Sequence, residues 1–132
     1  MTTEDKELLL KDLCARLPYG VKVRYSSYEK FITCTLHAIN PVYHIVDLWS
    51  ENACFNPVDT SKIKPYLFPL SSMTEEQKEE YCQLQQRVIY NGKGVVNEDI
   101  MEYINWCYKN HLDINGLLPK GLAIDCTNLN IY

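Results

Sequence analysis

The chain has 132 residues, of which 46% are hydrophobic and 23% are charged, with a formal net charge of −4. This length predicts a single domain over residues 1–132, and the composition excludes a disordered, collagen-like or low-complexity chain. The sequence has no apolar run long enough for a transmembrane helix, and its polar, acidic start MTTEDKELLL does not resemble a secretory signal. We therefore expect a cytoplasmic protein without membrane association.

A helix and a strand region are expected in the first 60 residues. Apolar side chains at helical spacing predict a helix over residues 4–16, which Thr2 or Thr3 can cap. Alternating apolar side chains then predict a strand region over residues 21–60, whose main hairpin turns at Asn40–Pro41.

The register of this hairpin decides which side chains share a face. A short two- or four-residue turn places Tyr43, Asp47 and Trp49 on the same face as the apolar residues of the preceding strand, so that face is expected to point to the core. Asp47 is then an unusual carboxylate, most simply held by a salt bridge or hydrogen bonds. On the opposite, half-solvated face, His37 and His44 are expected to lie directly across from each other.

A proline segment follows at residues 61–71. Its prolines prevent a long helix, and Leu67 and Phe68 are expected to anchor an otherwise irregular stretch in the core.

Two helices and a loop segment complete the chain. The first of these two helices is expected at 72–89, with a capping box that begins at Ser72 or at Thr74. The second is expected at 98–111, and a C-terminal loop segment occupies 112–132, in which Gly121–Cys126 can add a last short strand. Together these elements predict an α+β domain in which a small, bent antiparallel sheet packs with about three helices, an SH3-like sheet being one form that it can take.

The six cysteines are widely and almost evenly spaced. Cys14, Cys82 and Cys107 fall on the apolar or boundary side of predicted helices, and Cys34 falls on the apolar side of a strand, which is typical of free thiols that pack as small hydrophobic groups. We therefore expect reduced thiols and, because no close CxxC pair exists, no structural metal.

The histidines and the carboxylate near them do not predict a catalytic or metal site. His37 and His44 can share a metal ion in the expected register, but a third ligand is missing. His111 and Asp113 lie together at a helix end without a marked nucleophile. We expect no catalytic residue, no metal and no cofactor, and therefore no enzymatic activity.

Ten tyrosines and two tryptophans are many for this length. Tyrosine and tryptophan are favoured at interfaces, because they combine a large contact area with a polar tip. We expect a binding surface that joins the outward face of the hairpin to the loop after the last helix. Its candidate residues are His37, Tyr43, His44, Tyr108, His111 and Asp113.

Charge disfavours nucleic acid as the ligand. Residues 1–70 contain eight Lys or Arg and eight Asp or Glu, so the whole negative charge lies in residues 71–132. Nucleic-acid binders need a basic face to neutralise phosphates. The basic cluster available for this consists of Lys22, Arg24 and Lys30, with Lys62 and Lys64 further on.

Three stretches resemble the signature stretches of a known family: KDLCARLPYGVKV at Lys11–Val23, IKPYLFPLSSMTEEQKEEY at Ile63–Tyr81, and NGLLPKGLAID at Asn115–Asp125. They are similar to those of small uncharacterised proteins encoded by Bacteroidales-type gut bacteria, their phages and integrated elements. The resemblance implies a short strand region between helices and a phage or mobile-element origin, and it implies no known activity.

The sequence thus predicts a non-enzymatic interaction protein that binds a protein partner. Two alternatives stay open: a counter-defence protein that sequesters a nucleotide signal or blocks a host nuclease, and a nucleic-acid-binding accessory protein. A deep pocket with convergent Arg and Lys would favour the first alternative, and a basic, aromatic-lined groove would favour the second.

Overall fold

Three helices and a six-stranded sheet make up the α+β fold that the sequence predicts, in a computed structural model that describes residues 1–89 and 97–132. The helices are α1 (Thr3–Arg16), α2 (Glu75–Ile89) and α3 (Asn97–Lys109). The strands are β1 (Lys22–Ser27), β2 (Lys30–Asn40), β3 (Ile45–Trp49), β4 (Cys54–Asp59), β5 (Ile63–Leu67) and β6 (Ile124–Asp125). The turn expected at residues 91–94 lies outside the described residues.

The helix starts follow the side-chain signals in the sequence. Thr2 caps α1, where its hydroxyl accepts a hydrogen bond of 3.1 Å from the backbone N–H of Asp5. At α2 the capping box is the one at Thr74: the Gln77 N–H donates to the Thr74 hydroxyl, and the Thr74 N–H donates back to the Gln77 side chain. Within the described residues, no helix combines the length and the apolar character that crossing a membrane requires.

The strands are ordered β4-β3-β2-β1-β5-β6, and the sheet is mixed. Neighbouring strands are antiparallel except β5 and β6, which pair in parallel. The prediction of a wholly antiparallel sheet is therefore wrong at this edge. The chain leaves β5 through α2 and α3 before it returns as β6, and such a long crossover allows parallel pairing.

The register expected for the β2–β3 hairpin is wrong. A loop of residues 41–44 connects the strands, Asn40 pairs with Ile45, and a bulge at His37 shifts the register so that Leu36 pairs with Leu48. Because side chains alternate along a strand, the core-facing residues of β3 are Val46 and Leu48. Asp47 and Trp49 alternate with these two residues and therefore face away from the core. The expectation that Asp47 lies on an apolar face is wrong.

One face of the sheet, the inner face, packs against α1 and the segment at residues 117–123. Leu9 and Leu13 of α1 are completely buried against the inner residues of five strands, and Leu117 and Leu122 close the other side of this core. Burial of these side chains supplies the main driving force for folding.

The proline segment is more regular than expected. Its first part forms β5, between β1 and β6, and Leu67 is fully buried as predicted. Phe68 is only partly buried and Leu70 is exposed, so the prediction of two core anchors holds for Leu67 alone.

Hydrogen bonds also order the C-terminal segment expected to be a loop. The Tyr132 hydroxyl accepts a hydrogen bond of 2.9 Å from the Lys22 N–H and donates one of 2.9 Å to the Tyr66 carbonyl oxygen. The phenol thereby joins β1 to β5 beyond their last paired residues, Val23 and Pro65.

All six cysteines are free thiols. Cys34, Cys107 and Cys126 are buried, whereas Cys14 and Cys82 are exposed, which corrects their expected placement on apolar helix faces. Burial raises the pKa of Cys107 and of Cys126 to about 11, so both thiols are protonated at neutral pH.

A buried ion pair lies on the core-facing side of α1. The side chains of Asp12 and Arg16 have no exposed surface, and the Arg16 Nε donates to the Asp12 Oδ1 at 2.6 Å. Arg16 also donates through Nη2 to the Leu112 carbonyl oxygen at 2.6 Å, and the Asn115 amide donates to Asp12 at 2.8 Å. This cluster connects α1 to the chain that follows α3.

Leu67→Ala is expected to lower the free energy of unfolding by about 2–5 kcal/mol, because it leaves a cavity in a fully packed site. The matched control is Leu70→Ala, which removes a side chain that is 38% exposed and should change stability by less than about 0.5 kcal/mol. Urea unfolding of both variants measures the difference. Equal effects would contradict the assignment of Leu67 as the anchor of this segment.

Asp12→Asn is expected to lower the free energy of unfolding by about 3–5 kcal/mol, because it leaves the charge of Arg16 buried without a counter-ion. Glu75→Gln, which breaks an exposed pair with Lys78, serves as the control and should cost less than about 1 kcal/mol. An Asp12→Asn variant as stable as the wild type in urea would refute the structural role of the cluster.

Candidate functional site

The face of the sheet opposite the core, called here the outer face, carries cationic, aromatic and hydroxyl side chains in register. Arg24 of β1 lies between Thr33 of β2 and Lys64 of β5, and Lys22 lies beside Thr35, which in turn pairs with Trp49. The residues of the outer face include Lys22, Arg24, Phe31, Thr33, Thr35, Trp49 and Lys64. The sheet thus collects cations that are far apart in the sequence.

A shallow groove runs along this face beside β3. Its volume is about 650 Å³, and its walls include Lys22, Thr33, Thr35, Trp49 and Glu51. It is open rather than enclosed, so its shape suits an extended chain better than a small molecule that needs to be surrounded.

His37 and Trp49 form one aromatic element of this surface. Their rings are stacked, with centroids 3.6 Å apart and planes inclined by 15°, and Trp49 remains 50% exposed. The bulge at His37 brings the two rings together, since it turns the imidazole out of the ladder next to β3. His37 therefore supports a half-exposed indole and does not lie opposite His44.

Arg24 and Phe31 form a second aromatic element. The guanidinium carbon lies 4.3 Å from the centroid of the Phe31 ring, which is 67% exposed. The Arg24 Nε is shielded from solvent and has no hydrogen-bond partner among the described residues. The cation is thus partly desolvated on an open surface.

Tyr43 and His44 lie in the loop between β2 and β3. The Asn40 side chain accepts hydrogen bonds from the N–H groups of Val42 and Tyr43, which holds the loop and leaves the Tyr43 side chain 71% exposed. His44 has a φ of 55° and turns toward the start of α1.

The imidazole of His44 lines a cavity of about 370 Å³ together with Thr3, Lys6 and Asp59. Hydrogen bonds from Ser61 lower the pKa of Asp59, and the nearby positive charges of Lys6 and His44 add to this shift. The Asp59 carboxylate in this cavity therefore already accepts hydrogen bonds from its own loop.

The other three candidate residues take part in packing near the end of α3. The Tyr108 ring contacts the Arg16 guanidinium at 4.9 Å, and the Asp113 carboxylate accepts hydrogen bonds of 2.8 and 3.0 Å from the N–H groups of Leu117 and Leu118. The His111 ring stacks on Tyr132 at 3.7 Å. These contacts give Tyr108, His111 and Asp113 structural roles.

The six candidate residues thus do not form one surface. Tyr43 and the His37–Trp49 pair point outward on the hairpin, while the C-terminal candidates contact buried groups. Sequence reasoning missed Phe31, and it assigned Trp49 to the core because of the wrong register. Arg24 and Lys64 belonged to the one basic cluster of the sequence, which was the available signal for this face.

A catalytic arrangement is not evident in the described part of the chain. Within residues 1–89 and 97–132, no three His, Cys, Asp or Glu side chains are grouped so that they could hold a metal ion. The most strongly shifted histidine is His111, whose pKa burial lowers to about 4, with the charges of Arg16 and Lys22 adding to the effect.

The free energy of unfolding is expected to fall as the pH drops from about 6.5 to about 4, because unfolded His111 binds a proton in this range and folded His111 does not. The variant His111→Asn removes this titration and keeps a residue that tolerates the φ of 58°. Chemical unfolding at several pH values should therefore give a flatter profile for the variant. Identical profiles would contradict the burial of a neutral imidazole.

Comparison with protein-family models, curated proteins and solved structures finds no match to this chain.

Proposed function

We propose that this chain is a non-enzymatic, cytoplasmic interaction protein that binds a protein partner through the outer face and hairpin of its sheet. One observation carries the proposal: of the ten large hydrophobic side chains that are exposed in the described part of the chain, five lie within residues 28–49. They are Tyr28, Phe31, Val42, Tyr43 and Trp49. These side chains are spread along β2, its two flanking turns and the end of β3. Exposed aromatic residues are enriched at protein interfaces, where they anchor a partner.

The rigidity of this surface supports the same function. Phe31 and Trp49 extend from paired strands, and each is held by a neighbour, Arg24 in one case and His37 in the other. An aromatic side chain that is ordered before binding loses little conformational entropy when a partner covers it. The resemblance to phage and mobile-element proteins suggests a partner that the host or the element encodes.

The experiment places a photocrosslinking group on the proposed surface. Tyr43→p-benzoylphenylalanine should form a discrete covalent adduct with a protein in a lysate of the source cells, and the same group at the exposed Gln86 of α2 should not. Adding excess unlabelled wild-type protein should suppress the adduct. Adducts of the same kind at both positions, or none at position 43, would refute the proposal.

Competition by variants identifies the side chains that bind. Phe31→Ala should compete about tenfold less well than the wild type, because it removes a central exposed anchor. Met101→Ala on α3, where the side chain is 61% exposed, is the matched control and should compete like the wild type. Recovery of nucleic acid in place of protein would favour the accessory-protein alternative.

A further inference from the structure

We propose that the outer face recognises an acidic segment of the protein partner, with carboxylates seated at Arg24 and Lys64. This inference rests on the proposed function and adds the chemistry of the partner. The observations that carry it are the position of the two cations, their lack of counter-ions and the aromatic side chains beside them.

The two cations are placed side by side on neighbouring strands. Arg24 and Lys64 are direct register partners in the β1–β5 pair, so their Cβ atoms are expected to be about 4.5–5.5 Å apart. Like charges in this position destabilise a sheet. Such a loss of stability is expected at a functional site, where binding of a ligand of opposite charge compensates for the repulsion.

Within the described residues, no carboxylate forms an ion pair with these two cations. The ion pairs in the described part of the chain join Arg16 to Asp12, Lys78 to Glu75, Arg87 to Glu102 and Lys120 to Asp5. Neither Arg24 nor Lys64 takes part in any of them. The Arg24 Nε is moreover shielded from water and has no hydrogen-bond partner in residues 1–89 and 97–132, so an anion near the guanidinium would meet a partly desolvated charge.

The geometry of the face suits an extended peptide. Lys22 and Arg24 point to the same side of β1 and are two residues apart, which corresponds to about 6.8 Å. An extended segment repeats its side chains on one face at the same interval. The Lys22 ammonium already donates a hydrogen bond of 3.1 Å to the Ile131 carbonyl oxygen, which leaves its other N–H groups for a ligand. Acidic residues at alternate positions would therefore meet Arg24 and the remaining donors of Lys22, while apolar residues beside them contact Phe31 and Trp49.

The distribution of charge favours a protein segment over a nucleic acid. A phosphate chain needs a continuous line of cations. On this face the positively charged side chains of β1 and β5 give way to two carboxylates, Asp47 in β3 and Glu51 just after it. The net charge of −4 also repels a long polyanion beyond the local patch. A short acidic segment requires only the neighbouring positive charges of β1 and β5.

Fluorescence anisotropy tests the inference with a fluorescein-labelled oligo-glutamate peptide and a labelled oligothymidylate of similar charge, in buffer of physiological ionic strength. The oligo-glutamate peptide should bind saturably and more tightly than the oligothymidylate. Arg24→Gln and Lys64→Gln should each weaken oligo-glutamate binding by about tenfold. Lys11→Gln, which removes an exposed charge on α1, should leave the binding unchanged.

Three results would overturn the inference: no binding of oligo-glutamate, an equal loss in Lys11→Gln, or tighter binding of oligothymidylate, which would assign the face to nucleic acid. The same charge variants in the crosslinking competition separate this inference from the proposed function. If Arg24→Gln competes like the wild type while Phe31→Ala does not, the interaction surface is retained and its acidic partner is refuted. If oligo-glutamate binds as expected but position 43 yields no adduct, the anion site is retained and the proposed function fails.

Discussion

The buried ion pair between Asp12 and Arg16 is the interaction on which the arrangement of the fold depends. Removing two charges from water is costly unless their hydrogen-bonding positions are filled. Leu112 and Asn115 supply additional partners, whereas the Arg16 Nη1 has none among the described residues. The pair therefore specifies where the chain after α3 must lie. A purely apolar contact would hold the same helix face with less directional preference, since hydrophobic packing is not directional.

The position of the chain after α3 also explains how the inner face of the sheet is covered. With α1 and residues 117–123 on the inner face, the chain continues through β6 to Tyr132, whose phenol joins β1 and β5 at one end. Burial raises the pKa of Tyr132 well above its usual value, in keeping with a hydroxyl that is part of the structure. The outer face beside β2 and β3 keeps its large aromatic residues exposed.

The composition of this exposed face is what distinguishes it from an ordinary solvated surface. Phe31 and Trp49 each present a ring to solvent, and each ring is held by a polar neighbour. Arg24 and Lys64 are neighbours across β1 and β5, and neither forms an ion pair in the part of the chain that the structure describes. An ordinary sheet surface gains stability from pairs of opposite charge across strands, and the pair of like charges departs from that pattern.

Local chemistry made much of the fold predictable from the amino-acid sequence. Thr2 and Thr74 mark helix starts because their hydroxyls accept N–H groups within one turn, and the spacing of Leu9 and Leu13 marks a buried helix face. The candidate site was less predictable, and the reason is register. One extra residue at His37 moves Trp49 from the expected core face to the surface, and no local signal reveals a bulge.

The sequence by itself therefore determined the α+β composition, the order of the three helices around a strand region, and the presence of an aromatic-rich chain with one basic cluster. Only the tertiary structure decided that Asp12 and Arg16 are buried, that His111 stacks beneath Tyr132, and that Arg24 lies beside Lys64. The physical reason is the range of the interactions involved. Caps and amphipathic faces depend on residues within a turn or two, whereas strand pairing and burial of charge depend on residues that only the folded chain brings together.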